Sequence, residues 1–213
     1  MNLMPQFPLQ LVVYPGEKLN LHIFEPRYRQ LINEASDNGT TFGIPAFIDK
    51  RVMPIGTEVE LVSIEKVFTN GEMDVKTRGT GIFRIKDFFD KAPQKLYAAA
   101  EFERMQTDSE TDIILGNKVI EQVEKLYKLL NIDKNVPADV SELKSYDIAH
   151  HIGCNIRQEY DILAIPDEYG RLEFILEHLN TLIPIVEETE LLRKKAQMNG
   201  HFKNVLPPDF RVK

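Results

Sequence analysis

The sequence has a single cysteine, Cys154, so no disulfide can close within the chain. That fits a reducing compartment. No run approaches the ~18 consecutive apolar residues that a membrane-crossing helix needs. The opening Met1-Asn2-Leu3-Met4-Pro5-Gln6-Phe7-Pro8 lacks the basic start and unbroken apolar stretch of a signal peptide. A cytoplasmic protein without membrane contact is expected. No glycine is followed by lysine, which excludes the G-x-x-x-x-G-K-[ST] phosphate loop. Basic residues are in deficit, 26 against 33 acidic, for a net charge of -7. That balance argues against a nucleic-acid partner, because phosphate-backbone affinity rests on clustered Lys and Arg.

What is present is ordinary globular composition, 43% hydrophobic and 28% charged. A length of 213 residues allows one large domain or two small ones. Leu9 to Val13 is a short apolar run closed by the turn pair Pro15-Gly16. Leu19, Leu21 and Ile23 alternate with polar neighbours, the pattern of a half-buried strand. The period then changes: Tyr28, Leu31, Ile32 and Ala35 fall on one helical face. Pro26 suits the first helical position, and Asn38-Gly39 supplies a left-handed stop.

Strands are expected again over Phe42 to Ile48, Thr57 to Phe68, Met73 to Gly79, Ile82 to Phe88 and Leu96 to Met105. Asn70-Gly71 tolerates positive φ at both central turn positions and predicts a tight hairpin. Gly79 and Gly81 predict a bulge or a barrel corner. So many short strands favour a small closed or nearly closed barrel, which hides sheet edges.

The polar run Thr107-Asp108-Ser109-Glu110-Thr111-Asp112 marks a linker and a helix start, with Asp or Ser as cap. Helical stripes follow: Val119, Val123, Leu126, Tyr127 and Leu130; then Leu143, Tyr146, Ala149 and Ile152; then Leu172, Ile175, Leu176, Leu179, Leu182 and Ile183. Pro184 is expected to kink or restart the last helix, which would run to Asn199-Gly200. The chain is expected to divide into a β-rich domain over 1–106, a helical subdomain over 107–200 and a tail over 201–213.

Several segments together carry a family likeness. They are Phe7-Pro8-Leu9, Tyr14-Pro15-Gly16 and the run Leu19-Asn20-Leu21-His22-Ile23-Phe24-Glu25-Pro26-Arg27-Tyr28. Phe42-Gly43-Ile44, Gly56-Thr57, Asn70-Gly71 and Gly81-Ile82-Phe83-Arg84-Ile85 continue it. In these the chain resembles the amino-terminal, substrate-recognition domain of the Lon proteases (ATP-dependent protease La). Arg157-Gln158 and Pro166-Asp167 to Arg171-Leu172 extend the likeness more loosely, while Gly153, Cys154 and Tyr160 depart from it. The resemblance implies an α+β fold: an N-terminal PUA-like β pseudo-barrel with one helix, followed by a C-terminal helical bundle. It also implies recognition of proteins or unfolded segments, with no cofactor. Without the phosphate loop, a free-standing, non-catalytic protein-binding domain is expected, the alternatives being a PUA-like nucleic-acid-binding protein or an enzyme with an unrecognised site.

Candidate sites follow. Phe24, Glu25, Pro26, Arg27 and Tyr28 form the family motif, and packing explains them: Glu25 sits at a helix start, Tyr28 opens the apolar face, and Arg27 is expected to pair with a barrel carboxylate. His150 and Cys154 lie four apart, as if on one helical face, with His151 between. A structural zinc site needs about four ligands, and only one cysteine exists. A Cys–His nucleophile pair is disfavoured on the same helix, and a buried cysteine is usually inert. No catalytic or metal residue is assigned. Phe88, Phe89, Pro93, Leu96 and Tyr97 offer more apolar surface than a hairpin edge needs. They are the expected peptide-binding residues, capable equally of closing the barrel end.

Overall fold

The computed structural model of the chain describes residues 3–108, 110–137 and 139–198. Six strands come from the first half: β1 (Leu3–Gln6), β2 (Lys18–Ile23), β3 (Phe42–Ile48), β4 (Arg51–Val67), β5 (Met73–Phe89) and β6 (Ala98–Met105), with helix α1 (Pro26–Asn38) after β2. Their order is β2-β5-β4-β3-β1-β6, and β6 pairs back onto β5. Five strands therefore close a barrel and β2 extends the sheet from β5. β1 runs parallel to β3, while the other neighbours are antiparallel. The expected barrel with one inserted helix is present.

Local chemistry sets the elements. In α1, Pro26 opens the first turn, and Gly39 ends the helix at φ 62, its amide donating to the Ala35 carbonyl. The face Tyr28, Leu31, Ile32 and Ala35 is buried, as its spacing predicts. It packs into a core with Phe7, Phe42, Val59 and Val75. The Phe7 and Tyr28 rings stack at 3.7 Å.

Three details depart from the sequence reading. Leu9–Val13 contributes one bridge, Leu9 to Ala46, and the strand of this region is β1 instead. Val12 and Val13 are still buried, so their apolar character reflects the core rather than a ladder. The two strands expected on either side of Gly79 and Gly81 are one strand, β5, with a register shift there: Glu58 faces Gly81, Val59 faces Gly79, and Thr80 is passed over. A Cβ at Gly79 would collide with the Tyr14 carbonyl, whereas one at Gly81 meets nothing. The hairpin at Asn70-Gly71 uses positive φ at Gly71 alone, 80°. Phe68 and Glu72 pair around it, with the Gly71 amide on the Phe68 carbonyl.

Helices follow: α2 (Ile113–Leu130), a 3₁₀ turn (Val140–Glu142), α3 (Ser145–Ala149), α4 (Ile156–Ala164) and α5 (Glu168–Met198). Asp112 caps α2 by accepting from the Leu115 amide at 2.7 Å. The stripe over Leu143 to Ile152 is not one helix. Gly153 adopts φ 77, and Asn155 with Gln158 forms a capping box that starts α4 afresh. Pro184 lies inside α5 without restarting it. Its site and Asn180, whose carbonyl loses a partner, are both exposed, so water can replace the missing bond. Ser109, the stop at Asn199-Gly200 and the tail at 201–213 lie outside the described residues.

Contacts group the chain into two compact units, Met1–Thr111 with Lys144–Arg171, and Asp112–Leu143 with Leu172–Lys213. A cut at residue 106 follows the end of the strands, whereas this grouping adds α3, α4 and the start of α5 to the barrel unit. The second unit buries Val119, Val123, Leu126, Leu172, Ile175, Leu179 and Ile183, drawn from two of the expected stripes.

Candidate functional site

The sheet extension of β2, β5 and the outer half of β4 carries the most unusual surface of the barrel unit. β2 alternates as its pattern requires: Leu19 and Leu21 pack against the core, while Lys18, Asn20 and His22 point outward. Its last turn-away leads into Phe24, which is 59% exposed, and the facing hairpin presents Val67, 64% exposed. His22 lies between Phe24 and Phe68, with ring centroids 6.3 Å from Phe24 and 5.7 Å from Phe68, whereas Val67, opposite buried Met73, belongs to the other face. The Lys66 ammonium sits 4.3 Å from the Phe68 ring centroid. Arg29 of α1 donates to the Asn70 carbonyl at 2.8 Å and ties the hairpin tip down.

Polar groups rim this apolar end. His22 Nδ1 lies 2.7 Å from Asp74 and Nε2 lies 3.3 Å from Glu72. The Asp74 hydrogen bond, followed by the charges of both carboxylates, raises the His22 pKa above the ordinary histidine value. Along the same face, an open groove of about 630 Å³ is lined by Lys18, Asn20, Glu60, Val62, Lys76 and Arg78, among others. Lys76 pairs with Glu65 at 2.7 Å and Arg78 with Glu60 at 2.5 Å.

The five residues expected to bind peptide take different positions. Tyr97 is buried in the core, and its hydroxyl reaches Glu34 at 2.5 Å. Burial and then that carboxylate push the Tyr97 hydroxyl well above its usual range. Lys95 bonds the same Glu34 oxygen at 2.8 Å, and the Leu96 amide donates to Gln30 at 2.9 Å, so this loop is fastened to α1. Leu96 and Pro93 are exposed, while Phe88 and Phe89 are half-buried opposite Ala100 and Ala99.

In the family motif, Glu25 precedes α1 as its cap residue and Tyr28 is buried. Arg27 pairs with Glu25 at 2.8 Å and covers the Tyr28 ring at 4.4 Å. The expected barrel carboxylate is not its partner, because Glu25 lies nearer, just across the helix start. Of the five, Phe24 is the large apolar side chain that points outward, 59% exposed. His22, Val67 and Phe68 were not singled out by sequence. The available signal was Phe68 itself, a large apolar residue beside a turn.

His150 and Cys154 do not share a helical face, since α3 ends at Ala149 and Gly153 turns the chain between them. Burial, then the Glu159 carboxylate, pushes the Cys154 thiol up to about 11. No cluster of three or more His, Cys, Asp or Glu suited to a metal occurs among the described residues. No helix among them is long and apolar enough to cross a membrane.

Among curated proteins, none matches the chain. Solved structures share its fold, among them two Lon N-terminal domains. A Lon N-terminal domain protein from Xanthomonas campestris is 24% identical, with a TM-score of 0.64, covering 83% of this chain and 98% of that one. The N-terminal domain of a Mycobacterium avium complex Lon protease is 14% identical, with a TM-score of 0.62, covering 84% and 98%. The family model of the ATP-dependent protease La (LON) substrate-binding domain matches residues 4–181, and the chain belongs to that family.

Proposed function

We propose that the chain is a non-catalytic, cytoplasmic recognition module that holds unfolded or extended protein segments against the Phe24 and Phe68 surface. One observation carries this reading: Phe24, 59% exposed, and the half-buried Phe68 both lie against the His22 ring on the outer face of the sheet. Unfolded proteins differ from folded ones chiefly by exposed apolar groups, and a paired apolar surface removes both from water. Leu96, 53% exposed and next to Pro93, is a second apolar contact available on the same unit.

Two features support a role in binding rather than catalysis. The Cys154 thiol is pushed up to about 11, so its thiolate is scarce at neutral pH. His150 is engaged by two carboxylates, Glu17 and Glu159, and is not available as a base. Two cations of the groove, Lys76 and Arg78, are already paired, which leaves little for a phosphate backbone.

The test is titration of the purified chain with a permanently unfolded, labelled protein, with and without ATP. Binding in the micromolar range, independent of ATP, is expected. The double substitution Phe24→Ser, Phe68→Ser should weaken it at least ~10-fold, since each removes most of an apolar side chain's burial. Absence of binding, or binding that the double variant leaves unchanged, overturns the proposal.

A further inference from the structure

Resting on that reading, we infer that the client is bound as an added β-strand along the outer edge of β2, and that the edge selects a segment with an aromatic residue followed four positions later by an acidic one.

β2 pairs with β5 in an unbroken register from Lys18 opposite Arg78 to Ile23 opposite Met73. On its other side no described strand pairs with it. In an antiparallel strand every second residue aims its N–H and C=O away from the existing neighbour, so β2 presents a row of unpaired backbone groups. β4 has a free edge too, beyond Val59, where β3 stops. That edge is broken by register shifts between Leu61 and Ser63 and between Ile64 and Lys66. Such bulges bend a strand and interrupt the ladder that a guest would need. β2 has none, and is the edge on which a regular ladder can be built.

The side chains specify the guest. Residues directly opposite one another share a face of the sheet. Leu19 and Leu21 are half-buried on the core side, so the guest residues opposite them are apolar. Lys18 and Asn20 are exposed on the outer side, where the neighbouring cations Lys76 and Arg78 already have Glu65 and Glu60. Lys18 therefore favours an acidic residue opposite. At the other end both His22 nitrogens are engaged, and Phe24 and Phe68 flank its ring, so the residue opposite His22 is aromatic. Read antiparallel to β2, the guest is aromatic, apolar, polar, apolar, acidic. A second copy fits less well: the self-pairing that sets Leu19 opposite Leu21 also sets Lys18 opposite His22, which offers it no carboxylate because Asp74 and Glu72 are already held by the imidazole.

The probe is a fluorescein-labelled peptide with the core Phe-Val-Asn-Val-Glu, titrated into the full chain. Two N-methylated versions are compared, one methylated on the Val residues and one on Phe, Asn and Glu. Only one set of amides can face β2, so one version should lose binding at least ~10-fold and the other should keep it. Binding should slow hydrogen exchange at backbone amides within Lys18–Ile23. Lys18→Glu should weaken the peptide ~10-fold, and a Glu-to-Lys peptide should recover that loss.

If the unfolded protein binds but the β2 amides stay unprotected and neither methylation matters, the strand-addition inference falls while the recognition reading stands. If neither peptide nor unfolded protein binds, both fall. Protection of β2 that depends on protein concentration without peptide would assign the edge to a second copy and overturn the inference.

Discussion

His150 and Glu17 stand 133 positions apart in the chain and meet at 3.2 Å, imidazole Nε2 to carboxylate Oε2. The other ring nitrogen lies 2.8 Å from Glu159. Tyr14 closes the cluster: its amide donates to the same Glu17 oxygen at 2.8 Å, and its hydroxyl donates to the Glu159 carbonyl at 3.0 Å. Its ring stacks on Tyr146 at 4.9 Å. Charge and ring contacts thus fasten α3 and α4 to the loop that leads into β2.

This cluster makes stability depend on pH in a definite direction. Burial opposes the imidazolium, but its hydrogen bonds to Glu17 and Glu159 outweigh it and push His150 up to about 9. A group with a raised folded-state pKa stabilises fully below its unfolded value, about 6.5, and loses that contribution as pH rises through the folded value. The wild type should therefore lose stability between about pH 6.5 and pH 10, by about 1–3 kcal/mol from this group. Urea unfolding of wild type and His150→Gln at both ends of that window measures it. The variant should show a flatter dependence, and parallel curves would refute the assignment.

Arg171 is 1% exposed and Glu168 4%. The guanidinium donates to Glu168 at 2.7 Å, Ser145 at 2.9 Å, the Ile165 carbonyl at 2.9 Å and the Asp108 carbonyl at 2.7 Å. It thereby pins the end of β6 to the start of α5. Arg171→Ala strands a buried carboxylate and should cost about 3–5 kcal/mol, whereas removing Glu168 as well should recover part of the loss. Chemical denaturation of the single and double variants tests both statements. Arg171→Lys should also destabilise, because one ammonium cannot span four separated acceptors in a planar fork.

Much of this fold is legible in the chain, and the reasons for the gaps are physical. The apolar period of α1 is visible because it buries one face, and its Pro26 and Gly39 limits follow from backbone chemistry alone. β1 is hidden in Leu3-Met4-Pro5-Gln6, where Pro5 argues against a strand and Gln6 is a fully buried polar residue. The tight turn at Asp49-Lys50 carries positive φ at both positions without Asn-Gly, so its residues give no warning. The site is harder still. Leu19 to Ile23 announces a strand, but which strand lies at an edge is decided by long-range pairing that no local pattern contains. The likeness to the Lon amino-terminal domain supplied the barrel as a whole, not the exposure of Phe24 against the burial of Tyr97.

Cys154 offers a chemical readout of the same region as His150. Burial and then Glu159 push its thiol up to about 11, against an ordinary value near 9.0. At neutral pH the thiolate fraction falls by ~100-fold, and alkylation by iodoacetamide should slow by about that factor relative to the unfolded chain. Glu159→Gln should speed the reaction modestly, because it removes the second cause and leaves burial in place. Alkylation in the folded protein at the rate of a free thiol would contradict the buried, anion-flanked setting.

Gly79 and Gly81 separate the two reasons a strand can need glycine. Both sit at the register shift where β4 passes Thr80 of β5. At Gly79 a methyl group would drive into the Tyr14 carbonyl and press on the Thr57 methyl, and backbone cannot yield as a side-chain tip can. Thr57 is itself fixed there, its hydroxyl donating to the Val13 carbonyl. Gly79→Ala should therefore cost about 1–3 kcal/mol or more through overpacking. At Gly81 the added carbon meets open space, and Gly81→Ala should stay within about 0.5 kcal/mol of wild type. Thermal unfolding of the two variants side by side checks the contrast. Equal losses would mean that the strand needs flexibility at both positions rather than room at one.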